Sequence, residues 1–126
     1  MEKTTDAEHP LASHFIKAST MPWTPTELAG VEMKLLYKDE AAGRSTILFR
    51  MAPGSRVPLH MHTDVEQTYM LEGSLVDDQG SCDAGDFVWR PAGNTHEAFA
   101  PDGALFLSIF LKPNKFLENQ PTFAKS

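Results

Sequence analysis

The chain has 126 residues, of which 41% are hydrophobic and 22% charged, and carries a net charge of −6 with a pI near 5.2. That length suits one domain enclosing a single core, and an acidic chain without a basic stripe argues against nucleic acid as a partner. The longest apolar run, Ala104 to Leu111, is too short to span a bilayer, the N-terminus lacks a signal-peptide layout, and Cys82 has no second cysteine to pair with, so a cytoplasmic protein is expected, with no membrane partner.

Residues 1–25 read as an extended arm with three prolines, and its Leu11, Phe15, Ile16, Met21 and Trp23 are too apolar for solvent. They are expected to lie across the domain or against a neighbouring subunit. Residues 26–115 carry the strands. Val31 to Tyr37 is the first, 38–44 its turn, and Ser45 to Met51 alternates, with Ile47, Phe49 and Met51 on one face. The stretch 52–58, APGSRVP, is punctuated as a loop. Glu66 opens the next strand, which ends before Gly73. Ser74 to Val76 and Ser81 to Cys82 flank DDQG, a hairpin turn. Phe87 to Arg90, His96 to Ala100 and Ala104 to Leu111 complete the strands, and residues 116–126 form a tail, with a short helix expected around Lys115 to Asn119. Short strands separated by regular turn signals predict an all-β sandwich or barrel. Ala104 to Leu111 is apolar on both faces, so both must be covered, by the arm or by a second copy; a homodimer is expected.

The chemistry concentrates between Gly54 and His96. His60 and His62 stand two apart, which on a strand puts both on one face; Glu66 follows on the next strand, and His96 arrives behind a Pro-x-Gly turn. A lone histidine in a strand is an ordinary packed residue, whereas this convergence of three imidazoles and a carboxylate predicts one divalent transition metal on His60, His62, Glu66 and His96. Nitrogen and carboxylate donors suit Fe, Zn, Mn or Ni rather than Ca or Mg. Ligating imidazoles are neutral, so metal release is expected below about pH 6. Phe49, Met51, Met70, Phe87, Trp89, Phe99 and Phe106 are the candidate pocket lining for a small-molecule substrate. Arg50, Arg56 and Arg90 are read as solvated, Tyr69 as facing away from the site, and Asp77, Asp78, Asp83 and Asp86 as a solvated turn. Cys82 lacks an activating neighbour, and His9 and His14 are incidental.

The motifs G54-x5-H60-x-H62-x3-E66-x6-G73 and G85-x5-P91-x-G93-x2-H96 resemble the two signatures of the cupin superfamily, with Ala100 where the second often has Asn. The resemblance implies a single-domain cupin jelly-roll β-barrel with the same four metal ligands. The region from Leu71 to Leu107 is also similar to the cupin domain of ChrR-type anti-sigma factors, which bind zinc, and to acetylacetone-type dioxygenases, which use non-haem iron to cleave carbon–carbon bonds. The 53 residues before the first motif leave no room for a helical sigma-binding clamp. The expected function is therefore an Fe(II) dioxygenase of a small diketone-like or aromatic compound. The alternatives are a zinc-binding, non-catalytic sensor and a non-oxidative isomerase or lyase using its metal as a Lewis acid.

Overall fold

The computed structural model describes residues 9–117. Ten strands run in chain order as β1 (Thr24–Pro25), β2 (Val31–Asp39), β3 (Arg44–Met51), β4 (Ser55–Met61), β5 (Glu66–Asp77), β6 (Gly80–Asp83), β7 (Phe87–Arg90), β8 (Thr95–Ala100), β9 (Ala104–Phe110) and β10 (Lys115–Phe116). All pairings are antiparallel, along the path β1-β2-β3-β9-β5-β8-β4-β10, with β6 and β7 also on β5. The only helical element among the described residues is a single 3₁₀ turn at Ala18–Thr20. No helix there is long and apolar enough to cross a membrane.

Strand β5 joins the two walls. Its first half pairs with β9 and β7, its second half with β6, and Val76 reaches Phe99 of β8. An irregularity between Met70 and Glu72 and the positive φ of 75° at Gly73 bend the strand between those roles. With period-2 alternation, the register stacks the inner face in rows. The first row runs Ser45, Phe110, Glu66, Arg90; the second runs Ile47, Ser108, Thr68, Val88; the third runs Phe49, Phe106, Met70. All these residues are buried except the half-buried Val88. The third row is the apolar floor, where the Phe49 and Phe106 rings lie 5.4 Å apart.

Several expectations change. Lys115 and Phe116 pair with Met61 and His60 as a strand, so the tail helix is not formed there; the rest of its expected range lies outside the described residues. Most of the stretch expected as a loop before His60 is strand β4, with its irregularity between Val57 and His60 next to Pro58, which has no N–H for the ladder. In the arm, Trp23 is half-buried, with Arg50 stacked 4.2 Å from its ring and Lys34 4.7 Å away. Leu11 and Phe15 are 88% and 81% exposed, so no described residue covers them.

A Cβ at Gly73 would run into the Gly103 carbonyl, on a backbone conformation that L-residues rarely adopt. Strain of this kind costs about 1–3 kcal/mol before the clash is counted. Gly73→Ala is therefore expected to lower urea-unfolding stability by at least about 2 kcal/mol.

Candidate metal centre

Strands β4 and β8 bring the histidines together. His60 lies opposite His96 in the ladder, and His62, one residue beyond β4, is held by its own N–H to Asn94 O (2.9 Å) and its carbonyl to Gly93 N–H (2.7 Å). The three rings are buried, with centroids 4.5–5.0 Å apart, and one ligand atom from each falls within 4.8 Å of the others. Three buried histidines in this arrangement can bind a metal ion.

Each ring is held from behind. His60 Nδ1–H donates to Pro58 O at 2.7 Å, His62 Nδ1–H to Asn114 Oδ1 at 3.0 Å, and His96 Nδ1–H to Asp77 Oδ2 at 2.8 Å. Since those oxygens accept, the proton sits on Nδ1 and the lone pair on Nε2 faces the cluster. The Nε2 atoms of His62 and His96 are buried without a hydrogen-bond partner among the described residues. A buried acceptor left unmade costs about 1–3 kcal/mol. Two of them, aimed at one point and anchored by acceptors behind, are the donor set that a metal ion uses.

Glu66 is buried on the first row, with Oε1 3.6 Å from His62 Nε2. Asn114 connects the two, accepting from His62 and hydrogen-bonding the Glu66 carboxyl. Burial raises that carboxyl to about 7, against the opposing pull of Arg90 and Asn114. Burial also lowers the imidazoles, helped by their mutual proximity and Arg90: His62 to about 3, His96 to about 4, and His60 in the same direction. The Asp77 carboxyl is raised by burial, but hydrogen bonds from Gln79 N–H and His96 and the charge of Arg90 outweigh this and hold it below its usual value.

Two readings of the acidic turn and the arginines are corrected here. Asp77 is not solvated: its side chain is 4% exposed and sits between His96 and Arg90, whose Nη1 is 3.1 Å away. Arg90 is buried too, its Nε 3.9 Å from Glu66. The turn Asp77–Gly80 reverses the chain, and this swings its first carboxylate inward behind His96. Arg50 and Arg56 do lie outside, paired with Glu32 and Glu97. Asn114 was missed altogether, since nothing in the local pattern marks it; it arrives only through the pairing of β10 with β4.

A cavity of about 40 Å³ opens on the cluster. Phe49 and Phe106 line it, with Val57, Leu75, Val88 and Phe110. Met51 and Met70 are buried behind them in the core. Phe87, Trp89 and Phe99 are corrected: they are 55%, 59% and 45% exposed on the outer surface. Val88 and Arg90 take the inner face of β7, and His96, Ala98 and Ala100 that of β8, so their odd neighbours must point out.

The model of the ChrR cupin-like domain matches residues 11–115. The chain belongs to that family. No curated protein is similar to it in sequence. A putative acetylacetone dioxygenase from Methylibium petroleiphilum PM1 is similar in structure, with a TM-score of 0.81 and 18% identity over 91% of this chain and 90% of that one. An acetylacetone dioxygenase from Acinetobacter johnsonii has a TM-score of 0.78 and 22% identity, over 91% and 85%. The anti-sigma factor ChrR, in its complex with SigE from Rhodobacter sphaeroides, has a TM-score of 0.64 and 24% identity, over 72% of this chain and half of that one. At these identities the likeness establishes the cupin fold and no particular activity.

Burial also sets the acid behaviour of the metal-free histidines. In the fold His62 and His96 resist protonation down to about 3 and 4, so protons compete for them well below pH 6. For the metal-free cupin, these histidines contribute stability that is full above about pH 6.5 and lost as pH falls. Glu66 acts oppositely: its contribution is full below about 4.5 and lost as pH rises towards 7. Three lowered imidazoles outweigh one raised carboxyl, so the urea midpoint of chelator-treated protein is expected to fall from pH 6.5 to 4.5. A flat or rising midpoint over that range would contradict this balance.

Proposed function

We propose that this cupin is a metal-dependent dioxygenase of a small diketone-like or aromatic compound. One divalent transition metal, Fe(II) in preference to Zn, Mn or Ni, is held by His60, His62, Glu66 and His96. The observation that supports this most is the pair of buried, partnerless Nε2 atoms of His62 and His96 beside a carboxyl only 3.6 Å from one of them. Bound there, iron would supply one-electron chemistry with dioxygen and a Lewis acid for a substrate oxygen.

The chain's own residues set the conditions for that chemistry. Asp77, Asn114 and the Pro58 carbonyl keep each ring in one tautomer and one plane. Arg90 lies beside both Asp77 and Glu66, which supports their ionised forms. Glu66 releases its proton on ligation, because burial has left it protonated up to about 7. Phe49, Phe106 and Phe110 keep water from the inner end, and a cavity of about 40 Å³ limits the substrate to a small molecule.

The second reading is a zinc-holding, non-catalytic module, and the match of the ChrR cupin-like domain model to residues 11–115 favours it. Tyr69, Phe87 and Trp89 are exposed side by side, with Leu107 opposite Tyr69. Apolar area of this kind marks an interface. We assign it to a second copy of this chain in either reading, since the arm adds Leu11 and Phe15 in the same exposed state.

Three measurements test these points. Protein purified without chelator is expected to carry iron, which His60→Ala loses, and the iron form is expected to consume oxygen with acetylacetone. Stoichiometric zinc with no turnover favours the module instead. Asp77→Asn and Asn114→Ala are expected to weaken metal affinity by about 10–100-fold while the protein stays folded. Light scattering is expected to give twice the chain mass of 14.0 kDa, and a Phe87→Glu, Trp89→Glu double variant is expected to be monomeric.

A further inference from the structure

Between the histidine cluster and the apolar floor lies one polar layer. Thr68 and Ser108 face each other across β5 and β9 on the second inner row, and both are buried, 4% and 1% exposed. Their hydroxyls are 2.8 Å apart, and each is the other's only side-chain hydrogen-bond partner among the described residues. Both line the cavity that opens on His60, Glu66 and His96.

Two hydroxyls carry two protons and four lone pairs, and the bond between them uses one of each. One proton therefore has no acceptor in the pair, in surroundings formed by Ile47, Val88, Phe49 and Phe106. A valine and an alanine would fill this layer at no polar cost, so the hydroxyls suit a partner that enters the cavity. Their position fixes its kind. Thr68 is two residues along the strand from Glu66, roughly 7 Å deeper into the barrel. A ligand with one oxygen at the histidine cluster meets the hydroxyl pair with a group a few bonds away.

We propose that Thr68 and Ser108 form a specificity-determining subsite that hydrogen-bonds a second oxygen of a small substrate whose first oxygen faces the histidines. The inference rests on the metal-site reading above for the placement of that first oxygen. The substrate class is then a short-chain oxo or hydroxy compound, and a purely aliphatic acid of the same length is disfavoured. A site built to bond an oxygen rejects the analogue lacking it, because its buried polar group is left unpaired.

The test uses zinc-loaded protein, which is redox-inert, and titration calorimetry with three probes. Acetylacetone reports whether the metal site accepts an oxygen ligand at all. The other two, 3-hydroxypropionate and butyrate, differ by a hydroxyl in place of a methyl group. Wild type is expected to prefer 3-hydroxypropionate at least tenfold. Thr68→Val and Ser108→Ala are each expected to bring the preference within about twofold, with zinc stoichiometry unchanged. A wild type that binds the two acids equally, or variants that keep the preference, overturns the subsite. Failure of acetylacetone to bind overturns the metal-site reading, and with it the placement of the first oxygen. If either variant does not fold, Thr68→Ser, which keeps the hydroxyl, must retain the preference, and its loss there counts against the proposal.

Discussion

Three neutral imidazoles share one buried corner, and the rest of the structure depends on keeping them there with their Nε2 atoms facing one another. Burial removes the option of protonation, so the rings do not repel as cations. Each is oriented instead by an acceptor drawn from a different part of the chain: a carbonyl two residues back, an amide 52 residues on, and a carboxylate 19 residues back. The ladder between β4 and β8 sets the spacing of two rings, and β10 delivers the amide for the third. Loss of any one anchor frees a ring to turn, which is why the parts behind the histidines matter as much as the histidines.

From that corner the barrel grades downward in polarity. The first inner row carries Glu66 and Arg90, the second the hydroxyls of Thr68 and Ser108, the third only Phe49, Phe106 and Met70. The gradient follows from register: successive inner residues of β5 are a carboxylate, a hydroxyl and a thioether. It places the polar end of the cavity at the histidines and the apolar end at the floor. The bulge after Met70 and the turn at Gly73 let one strand supply both the site and part of the opposite wall. The first residue of β5, Glu66, thereby stands with its Oε1 3.6 Å from His62 Nε2.

The cupin frame is shared by an acetylacetone dioxygenase and the anti-sigma factor ChrR, so the frame alone does not select the chemistry. What distinguishes one member from another lies in the small set of side chains that face the cavity and the surface outside it. In this chain the inside is a small, mostly apolar pocket with a single hydroxyl layer, and the outside carries exposed Tyr69, Phe87 and Trp89. The first suits a small ligand, and the second suits another protein surface.

Much of this was legible in the residues. The alternation of Ile47, Phe49 and Met51, and the spacing of His60, His62, Glu66 and His96 come from local periodicity, which survives in one dimension, whereas β1, β4 and β10 carried no such mark. Phe99 could have been placed outside from the same rule, since it is three residues from an inward histidine; β7 offered no such marker, so Phe87 and Trp89 were ambiguous. The supporting residues were illegible for a different reason. Asp77 resembles any turn aspartate, Arg90 any surface arginine, and Asn114 any loop residue, because their roles come from pairings across 13 to 52 residues. By itself the sequence determined the all-β pattern and the metal-capable histidines, because period and spacing are local. Only the tertiary structure decided what stands behind those histidines and how deep the cavity runs, because strand register brings distant residues together and burial sets their charge.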